Sequence, residues 1–246
     1  MNILLFQENE LCADGIVHLE GERARHLIKI KKVQEGDSFA AGVIDGRVGS
    51  AKIISKNKTS LEVKVELFDK ARDLEPVDLV VALPRPQILK KVLYYGSMCG
   101  VRSISFINSI RTEDSYYSSS MLEADNIKKY LVLGLEQSMT TKLPEISVSK
   151  DFEIPESNNS FKLIAEPSAS QHIAELESLY SSDLSKGLSL SIGPEGGWQE
   201  QEIEAFKNKG FISFNLGSRV LRVEVALAYL LGQLDLFRHK SSASHT

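Results

Sequence analysis

The chain has 246 residues, of which 42% are hydrophobic and 25% are charged, and this near-average composition excludes general disorder. Its length allows one large domain or two unequal ones, and only two cysteines, Cys12 and Cys99, exclude a disulfide-dense scaffold. The net charge of −4 excludes a strongly basic, non-specific nucleic-acid binder.

The N-terminal residues and the apolar stretches predict neither export nor membrane insertion. The opening MNILLFQENE has no positive charge before its short apolar run, unlike a secretory signal. The longest apolar stretch, residues 225–231, is far shorter than the roughly 20 residues that a bilayer span needs. The expectation is a cytoplasmic protein with no membrane partner.

Up to about residue 70 the pattern predicts short strands joined by turns. Asp45-Gly46 lies between two apolar runs, which is a strong hairpin signal. Residues 61–68 alternate apolar and charged side chains, as a half-buried strand does. Several short strands at this spacing predict a small barrel.

The same part of the chain holds a short basic run. Residues 1–72 contain 12 Lys and Arg against 11 Asp and Glu, a net charge of +1, and the rest of the chain is net −5. Residues 23–32 (RARHLIKIKK) contain no acid, so any nucleic-acid contact is expected there. A solvated charged face is the alternative interpretation. The candidate RNA-binding residues are Arg23, Arg25, His26, Lys29, Lys31 and Lys32.

Beyond residues 69–76 the pattern alternates strands with helices, which predicts a mainly parallel α/β sheet. The predicted domains are therefore 1–72 and 73–240, followed by a disordered tail at 241–246. The predicted strands are 78–84, 101–109, 161–167, 188–194 and 212–217, and the predicted helices are 87–100, 125–138, 170–180, 200–210 and 227–237.

The most informative segment is SIGPEGGWQEQEIEAF at 191–206, in which an apolar strand enters a glycine-rich loop. Gly193, Gly196 and Gly197 permit close backbone approach to a ligand and positive φ values. The segment lacks the Lys-Ser/Thr of a phosphate-binding loop and the GxGxxG spacing of a dinucleotide turn. It therefore suits a ligand that is not strongly anionic, and a tight turn without a ligand is the alternative.

Two further loops follow predicted strands, AEP at 165–167 and LGSRVLRVEVA at 216–226. Open α/β sheets bind ligands at the C-terminal ends of their strands, so the three loops are expected to form one site. Arg219, Arg222 and Glu224 are the candidate catalytic residues. Their alternative interpretation is a carboxylate at a helix start with two arginines pairing to it.

IGPEGGW and LGSRVLRVEVA together resemble the two C-terminal signatures of the ribosomal RNA small subunit methyltransferase E family, in the SPOUT superfamily. HLIKIKKVQEGD (26–37), GLEQSMTTKLPEI (134–146) and IAEP occur in the order that this family shows, so the resemblance covers nearly the whole chain.

The resemblance implies an N-terminal PUA-like β-barrel that binds RNA, and a SPOUT α/β domain with a C-terminal trefoil knot. It also implies a homodimer that uses S-adenosylmethionine to methylate N3 of a uridine in small-subunit (16S) ribosomal RNA. The cofactor-binding residues that it implies are Glu166, Pro167, Gly193, Glu195, Gly196, Leu216, Gly217, Leu221, Arg222 and Ala226.

Uridine N3 carries a proton, so methyl transfer calls for a carboxylate to take that proton or for a cation to stabilise charge on the ring. Glu224, Arg219 and Arg222 suit these roles. The scattered histidines and the two lone cysteines show no metal-ligand spacing, so no metal is expected.

The sequence departs from the family pattern at Met98, Thr140, Lys142 and Val225. All four departures fall on the substrate side. They leave two alternatives open: a non-catalytic RNA-binding or ribosome-assembly factor, and a methyltransferase for a different RNA position.

Overall fold

The computed structural model describes residues 2–159, 161–176 and 187–243, with side chains up to residue 237. These residues form two compact units. The first unit contains residues 2–73 together with Val132–Leu143, and the second contains Leu74–Leu131 and the described residues from Pro144 onwards. The predicted domain limits, by contrast, place Val132–Leu143 in the second domain.

The described residues contain eleven strands and five α-helices. The strands are β1 (Ile3–Phe6), β2 (Ile16–Leu19), β3 (Ser38–Val43), β4 (Val48–Lys56), β5 (Leu61–Asp69), β6 (Glu75–Ala82), β7 (Val101–Ile107), β8 (Glu145–Val148), β9 (Phe161–Ala165), β10 (Leu188–Ile192) and β11 (Ile212–Phe214). The helices are α1 (Gly21–Arg25), α2 (Pro86–Met98), α3 (Ala124–Ser138), α4 (Glu200–Asn208) and α5 (Val223–Ala243). No helix in the described ranges is both long and apolar enough to cross a membrane.

The first unit is built on a five-stranded sheet in the order β1-β3-β4-β5-β2. Strand β1 lies parallel to β3, and the other neighbouring strands are antiparallel. All five strands send apolar side chains into one core, to which the edge strands contribute Phe6 and Leu19. The predicted barrel is therefore an open, curled half-barrel.

The predicted hairpin and the basic run take defined positions in this half-barrel. Asp45, at the tip of the β3–β4 hairpin, has a φ of 58°, the left-handed conformation that Asp tolerates better than most residues. The basic run forms α1 and continues as a π-helix over His26–Lys31. Leu27 packs into the core, which fixes one side of this helix and leaves the other to solvent.

The second half of α3 covers the outer face of β1 and β3 within the first unit. Leu135 is fully buried against Ile3 and Leu5. The segment that follows is held at the hairpin, since Asp45 Oδ1 accepts a hydrogen bond from the Leu143 N–H at 2.8 Å. Burial of this apolar helix face explains why Val132–Leu143 belongs to the first unit.

The second unit is built on six parallel strands in the order β11-β9-β10-β6-β7-β8. All five residues of β10 are buried, as is typical of a parallel strand that is covered on both faces. Because β9, β10 and β11 are neighbouring parallel strands, the loops that follow them meet at one edge of the sheet.

Several elements of the second unit differ from their predictions. Strand β8 was not predicted, and segment 170–180 was predicted as an α-helix but forms a 3₁₀-helix at Ile173–Leu176; residues 177–180 lie outside the described residues. The Ile173 N–H donates to the Asn215 carbonyl oxygen, and this tertiary hydrogen bond competes with a helical one. Helix α5 extends to Ala243 where a disordered tail is predicted, and residues 244–246 lie outside the described part. The trefoil knot stays a prediction.

Candidate active site

The three loops after β9, β10 and β11 line one cavity of about 350 Å³, called here the first cavity. Its walls are mainly apolar, with Ile192, Phe214 and Leu221 among them. Its polar and charged lining residues are Glu166, Ser168, Glu195 and Arg219, and the glycine-rich loop also lines it. Such a site suits a ligand with an apolar body and a few polar groups that fix its orientation.

The structure brings nine of the ten predicted cofactor-binding residues together around the first cavity. These nine are Glu166, Pro167, Gly193, Glu195, Gly196, Leu216, Gly217, Leu221 and Ala226. The tenth, Arg222, lines a second cavity instead, and Arg219, a predicted catalytic residue, lines the first. Trp198 and Val223 also line the first cavity, although the sequence analysis assigns them no site role.

The glycine-rich loop is a tight turn in which the three glycines serve different purposes. Only Gly197 has a positive φ, of 75°, so one of the three glycines uses the left-handed conformation that glycine permits. A Cβ at Gly193 would lie 3.1 Å from the Trp198 backbone nitrogen, and one at Gly196 would lie 2.7 Å from Arg111 Cδ. Close packing, rather than backbone conformation, therefore requires glycine at 193 and 196.

A buried carboxylate holds the C-terminal end of the glycine-rich loop in place through backbone hydrogen bonds. Glu202, in the first turn of α4, is 2% exposed. Its Oε2 accepts from the Gln199 N–H at 2.7 Å, and its Oε1 accepts from the Ile110 N–H at 2.8 Å. Gln199 and Glu202 have the spacing of a capping box, so the contact between them could have been predicted from the sequence. No sequence pattern indicates the contact between Glu202 and Ile110.

Replacing Glu202 with Ala is expected to lower the free energy of unfolding by roughly 2 kcal/mol, because two backbone N–H groups lose a charged acceptor. The same change loosens the loop and weakens ligand binding in the first cavity. Denaturant titration measures the stability, and Glu204→Ala, at an exposed position of the same helix, is the matched control. Equal stability of the two variants would contradict the anchoring role.

The second cavity, of about 720 Å³, contains two of the three predicted catalytic residues, Arg222 and Glu224. The start of α2 forms another part of its wall, and Glu195 lines both cavities. Glu224 is 4% exposed, and its Oε2 has no hydrogen-bond partner among the described residues. A buried carboxylate oxygen with unused acceptor capacity is costly unless something else fills the site.

Lys91 of α2, rather than an arginine, is the ion-pair partner of Glu224 among the described residues. The Lys91 Nζ lies 3.0 Å from Glu224 Oε1. Burial raises the pKa of this carboxyl, but hydrogen bonds from its own backbone and from Lys91, with the charges of Lys91 and Arg222, lower it below the ordinary value. Glu224 is therefore a carboxylate at neutral pH.

None of the four residues that depart from the family pattern lines either cavity. Lys142 forms an ion pair with Asp73, and the Thr140 hydroxyl lies 3.0 Å from Ser138 Oγ, both within the first unit. Met98 ends α2, and Val225 is exposed on α5; neither lines either cavity. The described residues contain no group of three His, Cys, Asp or Glu side chains that could hold a metal ion.

The basic run divides into internal and exposed residues. Arg23 donates to Glu10 Oε1 at 2.6 Å and to the Leu5 carbonyl oxygen at 2.8 Å, so its guanidinium is used inside the first unit. The buried His26 Nε2 has no partner among the described residues. The remaining candidates are exposed: Arg25, Lys29 and Lys31 lie on the helix, and Lys32 follows its last residue.

Two protein-family models match successive parts of the chain. The family described as RNA methyltransferase domain matches residues 72–235, and the family described as RNA methyltransferase PUA domain matches residues 19–66. The half-barrel followed by a parallel sheet with two adjoining cavities is thus the fold of a PUA-containing RNA methyltransferase, as the resemblance implies.

The chain belongs to the ribosomal RNA small subunit methyltransferase E family. It is 32% identical over 238 residues to the protein of that name from Treponema pallidum, covering 92% of this chain and 87% of the relative. It is 26% identical over 232 residues to the one from Bacillus subtilis, covering 88% of each.

Solved structures show the same fold. A ribosomal RNA small subunit methyltransferase E from Neisseria gonorrhoeae, bound to S-adenosyl methionine, superposes with a TM-score of 0.75 at 21% identity, covering 96% of this chain and 97% of the other. A putative methyltransferase from Legionella pneumophila, in complex with the same cofactor, gives 0.75 at 22% identity, with the same coverage.

Proposed function

We propose that this chain transfers a methyl group from S-adenosylmethionine to N3 of a uridine in small-subunit ribosomal RNA. The observation that carries the proposal is the pair of adjoining cavities. The first suits a cofactor of mixed polarity, and the second contains an ionised, buried carboxylate with a free oxygen. The names of the relatives support the class of RNA.

The first cavity fits the cofactor in its chemistry. Gly193 and Gly196 line it without a side chain, and the apolar walls suit a flat ring system. The loop lacks the lysine that binds phosphate, which agrees with a ligand without phosphates. The nine predicted residues that line this cavity are the proposed cofactor-binding residues.

When bound, S-adenosylmethionine supplies a methyl group on a positively charged sulfur, and the carbon–sulfur bond breaks with its electron pair passing to sulfur. The chain has to hold N3 in line with that methyl group and to remove the N3 proton as the new bond forms. Glu224, an ionised carboxylate, accepts the proton. Arg222 supplies positive charge beside the ring, and Arg219 supplies it at the first cavity.

The test is mass-spectrometric mapping of small-subunit ribosomal RNA, with and without the protein and cofactor. The expected result is one uridine that gains a methyl group at N3. Calorimetry with S-adenosylhomocysteine is the companion measurement. Absence of binding at millimolar concentration would favour a non-catalytic RNA-binding factor, and a methylated site at another atom would favour a different RNA position.

The exposed basic residues of the first unit are proposed to dock the RNA. Replacing Arg25, Lys29 and Lys31 with Ala is expected to weaken RNA binding and to flatten its salt dependence. Each lost phosphate contact changes the log–log salt slope by about 0.7–0.9. Affinity for S-adenosylhomocysteine should not change, because all three residues lie in the first unit and the first cavity lies in the second.

The matched control removes three positive charges elsewhere on the same half-barrel, by replacing the exposed Lys52, Lys58 and Lys70 with Ala. RNA affinity is measured at several salt concentrations. If both triple variants flatten the slope equally, the basic run has no special role and is only a solvated face.

We also propose a homodimer that acts in the cytoplasm on RNA or the assembled small subunit. One side of α5 exposes apolar or small side chains at the spacing of a helix–helix contact, with Val225 46%, Tyr229 48% and Leu236 54% exposed. Gly232 lies on the same side and would permit close approach. Sedimentation at micromolar concentration tests this, and a 27.3 kDa monomer would contradict it.

A further inference from the structure

Two of the three loops that line the first cavity are joined by a side chain that does not itself line it. Asn215 directly follows β11 and is half-buried. Its Nδ2 donates to the Ala169 carbonyl oxygen at 2.7 Å, in the loop after β9. Its Oδ1 accepts from the Gly217 N–H at 2.9 Å, in the loop after β11. The amide therefore bridges two loops that follow different strands.

The backbone of Asn215 makes the same connection. Its N–H donates to the Gln171 carbonyl oxygen at 2.8 Å, and its carbonyl oxygen accepts from the Ile173 N–H at 3.1 Å. These bonds form a parallel bridge between His172 and Asn215, just beyond the end of β11. Backbone and side chain of Asn215 thus hold segment 169–173 against the start of the β11 loop.

The bridged groups lie in or next to the wall of the first cavity. Gly217 lines the cavity, and so does Ser168, the residue before Ala169. The Ser168 hydroxyl donates to Glu166 Oε1 at 2.7 Å, so the β9 loop also orients a carboxylate of the wall. A shift of either loop would therefore change the shape of the cavity.

The bond to Gly217 holds the turn at which the β11 loop begins. Gly217 has a φ of 102°, which glycine adopts easily, and a glycine loses more conformational freedom on folding than any other residue. Residues 218–220 are exposed, and Val220 is 82% exposed although it lines the cavity. The outer part of this loop thus has little burial to fix it, which makes the hydrogen bond at its base important for its order.

This position uses both halves of a side-chain amide. The Ala169 carbonyl needs a donor and the Gly217 N–H needs an acceptor, and asparagine carries both on one short side chain. Aspartate would keep the acceptor but would turn an oxygen toward the Ala169 carbonyl oxygen. Leucine has a similar size and supplies neither group. The two substitutions therefore separate the two contacts.

We propose that Asn215 is a positioning residue for the first cavity, which holds the loops after β9 and β11 in the arrangement that the ligand requires. It acts through these loops and does not line the cavity. The proposal rests on the proposed function, since the ligand is S-adenosylmethionine, but the order of the two loops is measurable without any ligand.

The first test is calorimetry with S-adenosylhomocysteine. Asn215→Asp is expected to bind roughly tenfold more weakly than the parent, the effect of one lost hydrogen bond, and Asn215→Leu more weakly still. Asn126→Asp is the matched control, because the Asn126 Nδ2 also donates to a backbone carbonyl oxygen, that of Ser120, but Asn126 lines neither cavity. The control should bind like the parent.

Two further measurements separate positioning from a general effect on stability. Hydrogen exchange without ligand should become faster in segment 166–173 for both Asn215 variants. In segment 216–222 it should become faster mainly for Asn215→Leu, because aspartate still accepts from the Gly217 N–H. In steady-state methylation of RNA, the KM for S-adenosylmethionine should rise in Asn215→Asp while kcat stays close to that of the parent. A lower unfolding temperature with unchanged exchange and unchanged affinity would overturn the proposal.

The positioning role and the proposed function fail in different ways. If the parent and both Asn215 variants bind S-adenosylhomocysteine equally well, the function stands and Asn215 has no positioning role. If the parent does not bind S-adenosylhomocysteine, the proposed cofactor is wrong. Faster exchange of both loops in Asn215→Leu would then still show that Asn215 holds the cavity wall.

Discussion

Replacing Glu224 with Gln is expected to lower the rate constant for methyl transfer by about 10²–10³-fold, within the range of a lost proton acceptor. Glutamine keeps the size of the side chain but cannot take the N3 proton. Affinity for S-adenosylhomocysteine should remain close to that of the parent, because Glu224 does not line the first cavity. Single-turnover kinetics with saturating RNA and cofactor measures the rate.

The pH dependence of the same rate reports on Lys91. In the parent, the pKa of Glu224 is lowered, so the carboxylate persists in acid and is lost only as the pH falls through that lowered value. Lys91→Met removes the ammonium but leaves the carboxyl buried, so its pKa rises. The acidic limb of the rate profile should therefore move to higher pH.

Lys90→Met is the matched control for this shift. Lys90 is the preceding residue of α2, and its Nζ lies 5.6 Å from the centre of the Tyr130 ring rather than near Glu224. An acidic limb that stays in place in Lys91→Met, or that moves equally in both variants, would show that Lys91 does not control the ionisation of Glu224.

The first cavity could be predicted from the sequence because its parts are local. Each of its three loops follows an apolar strand, and neighbouring parallel strands bring their C-terminal ends together. The position of nine cofactor candidates around one cavity follows from this rule. Their role as ligands of the cofactor stays a prediction.

The second cavity could not be predicted in the same way. Lys91 and Glu224 are separated by 133 positions, and nothing in the helical pattern of α2 distinguishes Lys91 from its neighbour Lys90. The alternative interpretation of the sequence instead pairs Arg219 and Arg222 with Glu224. The packing of two helices decides which side chain lies beside a carboxylate. Periodicity within one helix does not predict that packing.

The position of Val132–Leu143 was also hidden from the sequence. The apolar spacing of α3 predicts a helix correctly, but it does not say which surface its second half covers. The structure buries Leu135 against Ile3 and Leu5 of the half-barrel, more than 120 positions earlier in the chain. Contacts between residues so far apart leave no local signal in the sequence. Composition and turn residues therefore indicate a single domain boundary, near residues 70–76, and do not indicate that a later segment returns to the first unit.

Replacing Gly196 with Val is expected to weaken cofactor binding by roughly 100-fold or more while the protein stays folded. The Cβ of a side chain at this position would lie 2.7 Å from Arg111 Cδ, and the residue also lines the first cavity. A loss of about 3 kcal/mol in binding free energy corresponds to roughly 100-fold or more in affinity. Calorimetry with S-adenosylhomocysteine measures the loss.

The double variant Gly196→Val with Arg111→Ala separates two causes of that loss. If the introduced valine side chain acts only by displacing Arg111, removing the arginine side chain restores affinity. If it blocks the approach of the cofactor to the loop backbone, affinity stays low, which is the expected result because a β-branched side chain has few conformations that avoid the cavity. Lys207→Val, at an exposed position of α4 that does not line the first cavity, should bind like the parent. A Gly196→Val protein that binds S-adenosylhomocysteine as tightly as the parent would mean that the cofactor does not contact this loop.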